Sequence, residues 1–169
     1  MSFNLMLTGV GGEGVLTTGV IIARAANLEN YYVRGVQLHG LAQRGGTIPT
    51  FVRFGKKEEI FSPGIMQGNS DLILAFEPLE AIRATYYARK DKTSFIINDF
   101  PYMPVYGNLV NFSYPDKEEV LKKIKPFSKE SYMFKASKIG KEKFGSTIFG
   151  NVIIVGFAVG SGLLPLKKE

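Results

Sequence analysis

"FNLMLTGVGGEGVLTTGVIIARAANLEN" (residues 3–30) decides the fold. Phe3–Thr8 is an apolar run of strand length, suited to burial on both faces. Val15, Leu16, Gly19, Val20, Ile22, Ala23 and Ala26 recur at helical spacing and give the next segment a wide apolar face. Between them Gly9, Gly11 and Gly14 fit G-x-G-x-x-G, with Gly12 and Glu13 inside the loop. Such a loop either allows tight strand–helix packing or turns backbone N–H groups toward an anion or a partner loop.

Two nucleotide readings fit poorly. A dinucleotide site wants an acid roughly 20 residues on, at the end of the second strand. The second strand-like piece, YYVRGVQ (residues 31–37), runs instead into Leu38 and His39. Glu29 is near that distance but falls at the helix end or in the following loop. Glu13 also sets negative charge where a pyrophosphate would lie. A Walker A loop fails at Val15 and Leu16, which stand where Lys and Ser/Thr must hold phosphate and magnesium.

Working outward, TIPTFVRFG (47–55) alternates as a strand, and KKEEIFS (56–62) reads as its hairpin partner with Gly55 and the lysines at the turn. Pro49 suggests an edge position or a bulge. SDLILAF (70–76) is a buried-strand run. EPLEAIRATYYARK (77–90) reads as a helix, with Pro78 at its first position, Glu77 and Glu80 at the positive end, and Arg89 and Lys90 at the negative end. TSFIIND (93–99) is the next strand, stopped by Pro101 and Pro104. LVNFSY (109–114) reads as a short strand. DKEEVLKKIKPF (116–127) is a helix opened by Asp116 with Glu119 in a capping box. SYMFKA (131–136) is a last strand and SKIGKEKFG (137–145) a short helix ended by Gly145. NVIIVGFAVGSGLLP (151–165) reads as a buried helix whose Gly156 and Gly160 would admit another backbone. The expected fold is therefore α/β: a single domain over residues 1–169, Rossmann-like, with a mostly parallel sheet, helices on both faces and a β-hairpin.

Composition excludes several chemistries. The chain has no cysteine, so it can supply no disulfide, no thiol nucleophile and no thiolate for an iron–sulfur cluster. One histidine with no metal-ligand spacing gives no metal site. The N-terminal residues lack a signal-like pattern, and the longest apolar run, Val152–Leu164, is short and broken by glycines. A cytoplasmic protein with no membrane partner is expected. The net charge of +6 fits a lysine-rich solvated surface or an anionic partner. No nucleic-acid recognition motif accompanies it.

HGLAQRGGT (39–47) concentrates the remaining polar groups. His39 has the proton affinity of a general base, but Ser62, Thr47 and Asp71 are not brought to it by any sequence pattern. It reads first as a loop residue, next as a ligand or interface contact, and last as an acid–base group. The Arg44 fork suits a carboxylate or phosphate, and Gly45–Gly46 lets backbone come close.

The ordered blocks GVGGEGVLTTG, HGLAQRGGT, VRFG, SPGIMQG, DLILAFEPLEAIR and FIINDFPYMP, with the tail GNVIIVGFAVGSGLLP, resemble the gamma-domain family of 2-oxoacid:ferredoxin oxidoreductases, above all its indolepyruvate-oxidising members. Glu13 departs from the glutamine usual there. The resemblance implies an accessory subunit, inactive alone, of a hetero-oligomer that oxidatively decarboxylates indolepyruvate or another aryl pyruvate. Coenzyme A and oxidised ferredoxin would be the co-substrates. It implies that thiamine diphosphate, magnesium, iron–sulfur clusters and coenzyme A are held through a large alpha subunit. This chain would then bind no cofactor alone and meet ferredoxin only indirectly. The loops at the carboxyl ends of the strands supply the contact candidates: Gly9, Gly11, Gly12, Glu13, Gly14, His39, Gln43, Arg44, Gly45, Gly46, Glu77 and Asn98. No catalytic residue and no metal ligand is expected among them. The competing reading is a free-standing nucleotide- or coenzyme A-binding Rossmann-like module.

Overall fold

The structure, a computed structural model, describes residues 2–38, 45–104, 107 and 112–167. One six-stranded sheet has the order β2-β3-β1-β4-β5-β6. Its strands are β1 (Phe3–Thr8), β2 (Tyr32–Gln37), β3 (Thr50–Gly55), β4 (Leu72–Ala75), β5 (Ser94–Asn98) and β6 (Glu130–Phe134). β1, β4, β5 and β6 run parallel. β3 lies antiparallel to both β1 and β2. The helices are α1 (Val15–Leu28), α2 (Pro78–Arg83), α3 (Lys117–Ile124), α4 (Ala136–Phe144) and α5 (Phe149–Gly160).

Side chains of β1 alternate between the faces of the sheet, as strand geometry requires. Leu5 and Leu7 join Val15, Ile22 and Ala26 of α1 and Ile154 and Ala158 of α5 in one buried cluster. Met6 joins Ile73, Ile97, Ala81 of α2 and Val120 of α3 in the other. Burial on both faces explains why β1, β4 and β5 read as continuous apolar runs.

The hairpin differs from the expected one. Lys57–Glu59 forms a single 3-10 turn, not a strand. β3 pairs with β2 on one edge and β1 on the other, so no edge remains for KKEEIFS. Pro49 precedes β3, and its missing N–H falls outside the ladder; its carbonyl accepts from the Leu38 N–H at 2.9 Å. β3 is thus an interior strand. α2 ends at Arg83 and passes into a 3-10 turn over Ala84–Tyr87, leaving Arg89 and Lys90 beyond the helix. Of LVNFSY, residues 109–111 lie outside the described residues and 112–114 form no strand. The capping box at Asp116 and Glu119 is present, and Gly145 closes α4 at φ 81°.

α5 is only partly buried: Val152 is 62% exposed. A methyl group built at Gly156 or Gly160 would meet nothing within 4 Å among the described residues, so no described backbone approaches there. The close approach is between α4 and α5, which meet at 116°. A methyl at Gly140 would lie 2.8 Å from the Gly150 nitrogen, and one at Gly150 would lie 2.7 Å from the Ser137 nitrogen. Among the described residues no single helix is long and apolar enough to cross a membrane.

From β1 the chain builds toward β2, and from β4 it builds the opposite way toward β6. The crevice beyond the carboxyl ends of β1 and β4 is therefore the switch point of the sheet, where an α/β fold opens for a ligand or neighbour.

Candidate functional site

The glycine loop after β1 closes on its own side chain. The Val10 N–H donates to Glu13 Oε2 at 2.7 Å. A methyl group at Gly9 would meet Val15 Cγ2 at 2.8 Å and Glu13 Oε2 at 2.9 Å. Gly14, at φ 78°, lies under the start of α5, where a methyl would meet Ile148 Cδ1 at 3.0 Å. The Asn151 Nδ2–H donates to the Glu13 carbonyl at 2.6 Å and ties that contact. These contacts favour packing as the purpose of the glycines. The same loop pairs with the end of the second motif: the Gly11 N–H donates to the Gly46 carbonyl and the Ile48 N–H to the Gly9 carbonyl, both at 2.9 Å.

Three carboxyl groups converge here. Glu77 caps α2 and is 1% exposed. Its Oε2 accepts from the Glu80 N–H at 2.9 Å. Its Oε1 accepts from the Tyr102 N–H at 3.3 Å and from the Tyr114 hydroxyl. Burial, then the bond to Glu77, pushes the Tyr114 phenol far above its usual range. Glu80 Oε1 accepts from Thr47 Oγ1 at 3.1 Å and pairs with Arg83, while Oε2 is buried without a partner among the described residues. Burial raises the Glu80 carboxyl, opposed by Arg83 and Thr47. Burial also pushes Glu13 from 4.5 up to about 7; the Val10 bond opposes this, and Glu77 and Glu80 add to it.

A cavity of about 310 Å3 opens between the glycine loop and the start of α5. Glu13, Phe76, Phe100, Tyr102, Ile148 and Asn151 are among its walls. Its floor is a buried amide. Asn98 Nδ2 donates to the Phe76 carbonyl at 3.2 Å and to Ser137 Oγ at 2.8 Å. Asn98 Oδ1 accepts from the Ser137 N–H at 3.1 Å, satisfying a first-turn donor of α4. Asn98→Leu leaves the Ser137 N–H and the Phe76 carbonyl without this partner. The expected loss is about 3 kcal/mol, read by chemical denaturation.

Of the candidates read from the sequence, Gly9, Gly11, Gly12, Glu13, Gly14, Gly46, Glu77 and Asn98 meet around this crevice. His39, Gln43 and Arg44 lie outside the described residues. The possible partners of His39 are scattered. Thr47 bonds Glu80 at the switch point, whereas Asp71 accepts from the Asn4 N–H at the other end of the sheet. Glu29 also sits away from the end of β2, accepting from the Lys167 N–H. Thr47, Glu80, Tyr114, Ser137 and Asn151 were not singled out as site residues. Asn151 is a lone amide opening an apolar helix, which was its available signal.

The model of the pyruvate ferredoxin/flavodoxin oxidoreductase family matches residues 4–169. The chain belongs to that family. Subunit IorB of indolepyruvate oxidoreductase from Archaeoglobus fulgidus is 35% identical over 169 residues, covering 100% of this chain and 82% of the relative. The Pyrococcus horikoshii IorB is 34% identical over 168 residues, covering 99% of this chain and 81% of the relative. Among solved structures, the family resemblance extends to pyruvate oxidoreductase subunit PORC of Thermotoga maritima. It has a TM-score of 0.66 and 17% identity, covering 96% of this chain and 78% of that one. At that identity the likeness shows the family fold alone.

Proposed function

We propose that this chain is the accessory subunit of a thiamine-dependent 2-oxoacid:ferredoxin oxidoreductase. The assembled enzyme converts indolepyruvate or another aryl pyruvate, with coenzyme A and oxidised ferredoxin, into aryl-acetyl-coenzyme A, carbon dioxide and reduced ferredoxin. The observation that carries this reading is the match of this chain, over 99–100% of its length, to indolepyruvate oxidoreductase subunits. The chemistry of the residues supports the division of labour. The chain has no cysteine, and among the described residues no group of three His, Cys, Asp or Glu side chains is placed to hold a metal ion. These residues do not fit thiamine diphosphate with magnesium, or an iron–sulfur cluster. Both belong on the large alpha subunit in this reading, and ferredoxin docks there. A reducing cytoplasm is the compartment that suits it.

The loops at the switch point are the surface offered to that subunit, with His39, Gln43, Arg44 and Gly45 beside them in sequence. A free-standing nucleotide module draws no support from the glycine loop, because the Val10 N–H is taken by Glu13 and the loop carries that carboxyl itself.

The chain alone is expected to give no oxoacid-dependent ferredoxin reduction and to co-purify with a large thiamine-dependent iron–sulfur subunit that restores it. Turnover by the isolated chain overturns the assignment. Arg44→Ala is expected to lower the activity of the reconstituted complex by about tenfold or more, the effect of removing a charge-assisted contact, with the unfolding midpoint unmoved. Unchanged activity reduces the motif to a turn.

A further inference from the structure

The sheet ends at β6, and its last edge lies in a slot. Among the described residues β6 pairs with β5 alone. The Asp99 N–H donates to the Phe134 carbonyl at 2.8 Å, so that end of β6 turns its backbone to β5. Backbone groups alternate in direction along a strand, so Tyr132 also faces β5, while Ser131 and Met133 turn their N–H and carbonyl groups outward. A channel of about 530 Å3 follows this edge. Leu121 and Lys117 of α3 wall it on the face of the sheet where Met133 is buried. Phe157 of α5 walls it on the other face, its ring centroid 5.2 Å from those of Tyr132 and Phe134. An open strand between two side walls has the shape that receives one more strand.

Charge says which strand. Residues 117–143 hold nine lysines and four acids, most of the chain's net charge of +6. Exposed Lys129 and Lys135 lie one residue beyond either end of β6, and exposed Lys117 lines the channel. The acid on the strand, Glu130, is engaged by Ser94 Oγ at 3.0 Å and the Tyr132 hydroxyl at 2.6 Å. A second copy of β6 laid antiparallel and centred on Tyr132 would set Lys129 against Lys135 at both ends. Like charges directly opposite are destabilising, and lysines at an edge guard against such self-association. We propose that the β6 edge docks an extended segment of an acidic partner protein, added as a seventh strand, with apolar residues toward Tyr132, Phe134 and Phe157 and acids six residues apart against Lys129 and Lys135. This goes beyond the accessory-subunit reading and does not depend on it.

The probe is the capped peptide Glu-Val-Thr-Val-Thr-Val-Glu, which reads the same in either strand direction and sets valines opposite residues 130, 132 and 134. Titrated into the full chain, it is expected to shift the amide NMR signals of Glu130–Phe134 saturably. The same peptide with lysines for its two acids is expected to bind about tenfold more weakly. N-methylation at its fourth and fifth residues blocks an amide facing β6 in either direction, changes no charge, and is expected to abolish binding. Lys129→Glu combined with Lys135→Glu changes exposed side chains only and is expected to reverse the preference to the lysine peptide. No saturable shift at millimolar acidic peptide overturns the proposal. So does equal binding by the N-methylated peptide, or a preference that the double substitution leaves unchanged. Shifts of Glu130–Phe134 that grow with chain concentration alone would give the edge to a second copy and overturn it as well. None of these outcomes bears on co-purification or ferredoxin reduction, which test the reaction separately.

Discussion

Gly150→Ala is expected to lower the unfolding midpoint by about 6–12 °C. The position sits where α5 crosses α4, and the added methyl would lie 2.7 Å from the nitrogen and Oγ of Ser137 and 2.8 Å from its Cα. Two of these atoms are backbone and cannot rotate away. Gly140 sits on the facing side, where a methyl would lie 2.8 Å from the Gly150 nitrogen, so neither helix has slack. Relief requires α5 to move off α4. Overpacking of this kind costs about 1–3 kcal/mol where the core gives a little, and the upper end applies when backbone opposes backbone. For a chain of this size each kcal/mol moves the midpoint by about 2–4 °C. The same displacement shifts Ile148 and Asn151 relative to Ser137, and all three line the switch-point cavity. Gly156→Ala, in open space on the same helix, meets no such clash and is expected to raise the midpoint slightly through the better helix propensity of alanine. Scanning calorimetry on the two variants checks both effects. Equal midpoints would show that the helices are not locked at Gly150.

Gly150 also marks where the sequence stopped being readable. The unit from Phe3 to Asn30 was legible because its signals are local: an apolar run, glycines and a helical period. The partner of β3 was not. Alternation in TFVRFG suits any neighbouring strand, and the choice between KKEEIFS and β1 with β2 is made by contacts dozens of residues away. The glycine contact in the tail was placed four residues apart at Gly156 and Gly160 because spacing along one helix is visible. The crossing at Gly140 and Gly150 depends on the angle between two helices, which spacing does not encode. The site divides the same way. Glu77 and Glu80 were legible as charges at a helix start, and Glu77 does cap α2. Their burial was not legible, since it comes from Thr47 and Tyr114, more than 30 positions away in either direction. Glu13 was legible as negative charge in a glycine loop. Its partner, the Val10 N–H three residues back, shows that the loop is closed by that charge rather than left open for a ligand's.

Burial of the Glu13 carboxyl, opposed by the Val10 bond, makes the chain's stability fall as pH rises from about 4.5 through about 7. Burial pushes the Glu13 carboxyl from 4.5 to about 7, so the folded state holds its proton more tightly than the unfolded chain does. Stability from this group is fully present below about pH 4.5 and is lost as pH rises through about 7, the reverse of a salt-bridged carboxylate. The Glu80 shift has the same direction and adds to it. The full displacement would amount to about 3 kcal/mol; discounting for the part of Glu13 that faces the cavity leaves about 2 kcal/mol. Asp91 and Glu130 shift the other way, but both are lowered and titrate on the acid side of this window. Urea unfolding at about pH 5 and about pH 8 is expected to differ by that amount in the native chain. Glu13→Gln should flatten the difference by most of it, because the amide keeps an acceptor for Val10 without a charge to bury. A profile that rises through neutrality, or one that Glu13→Gln leaves untouched, would show that the loop holds Glu13 ionised without penalty. The crevice would then be better solvated than its hydrogen bonds and burial indicate.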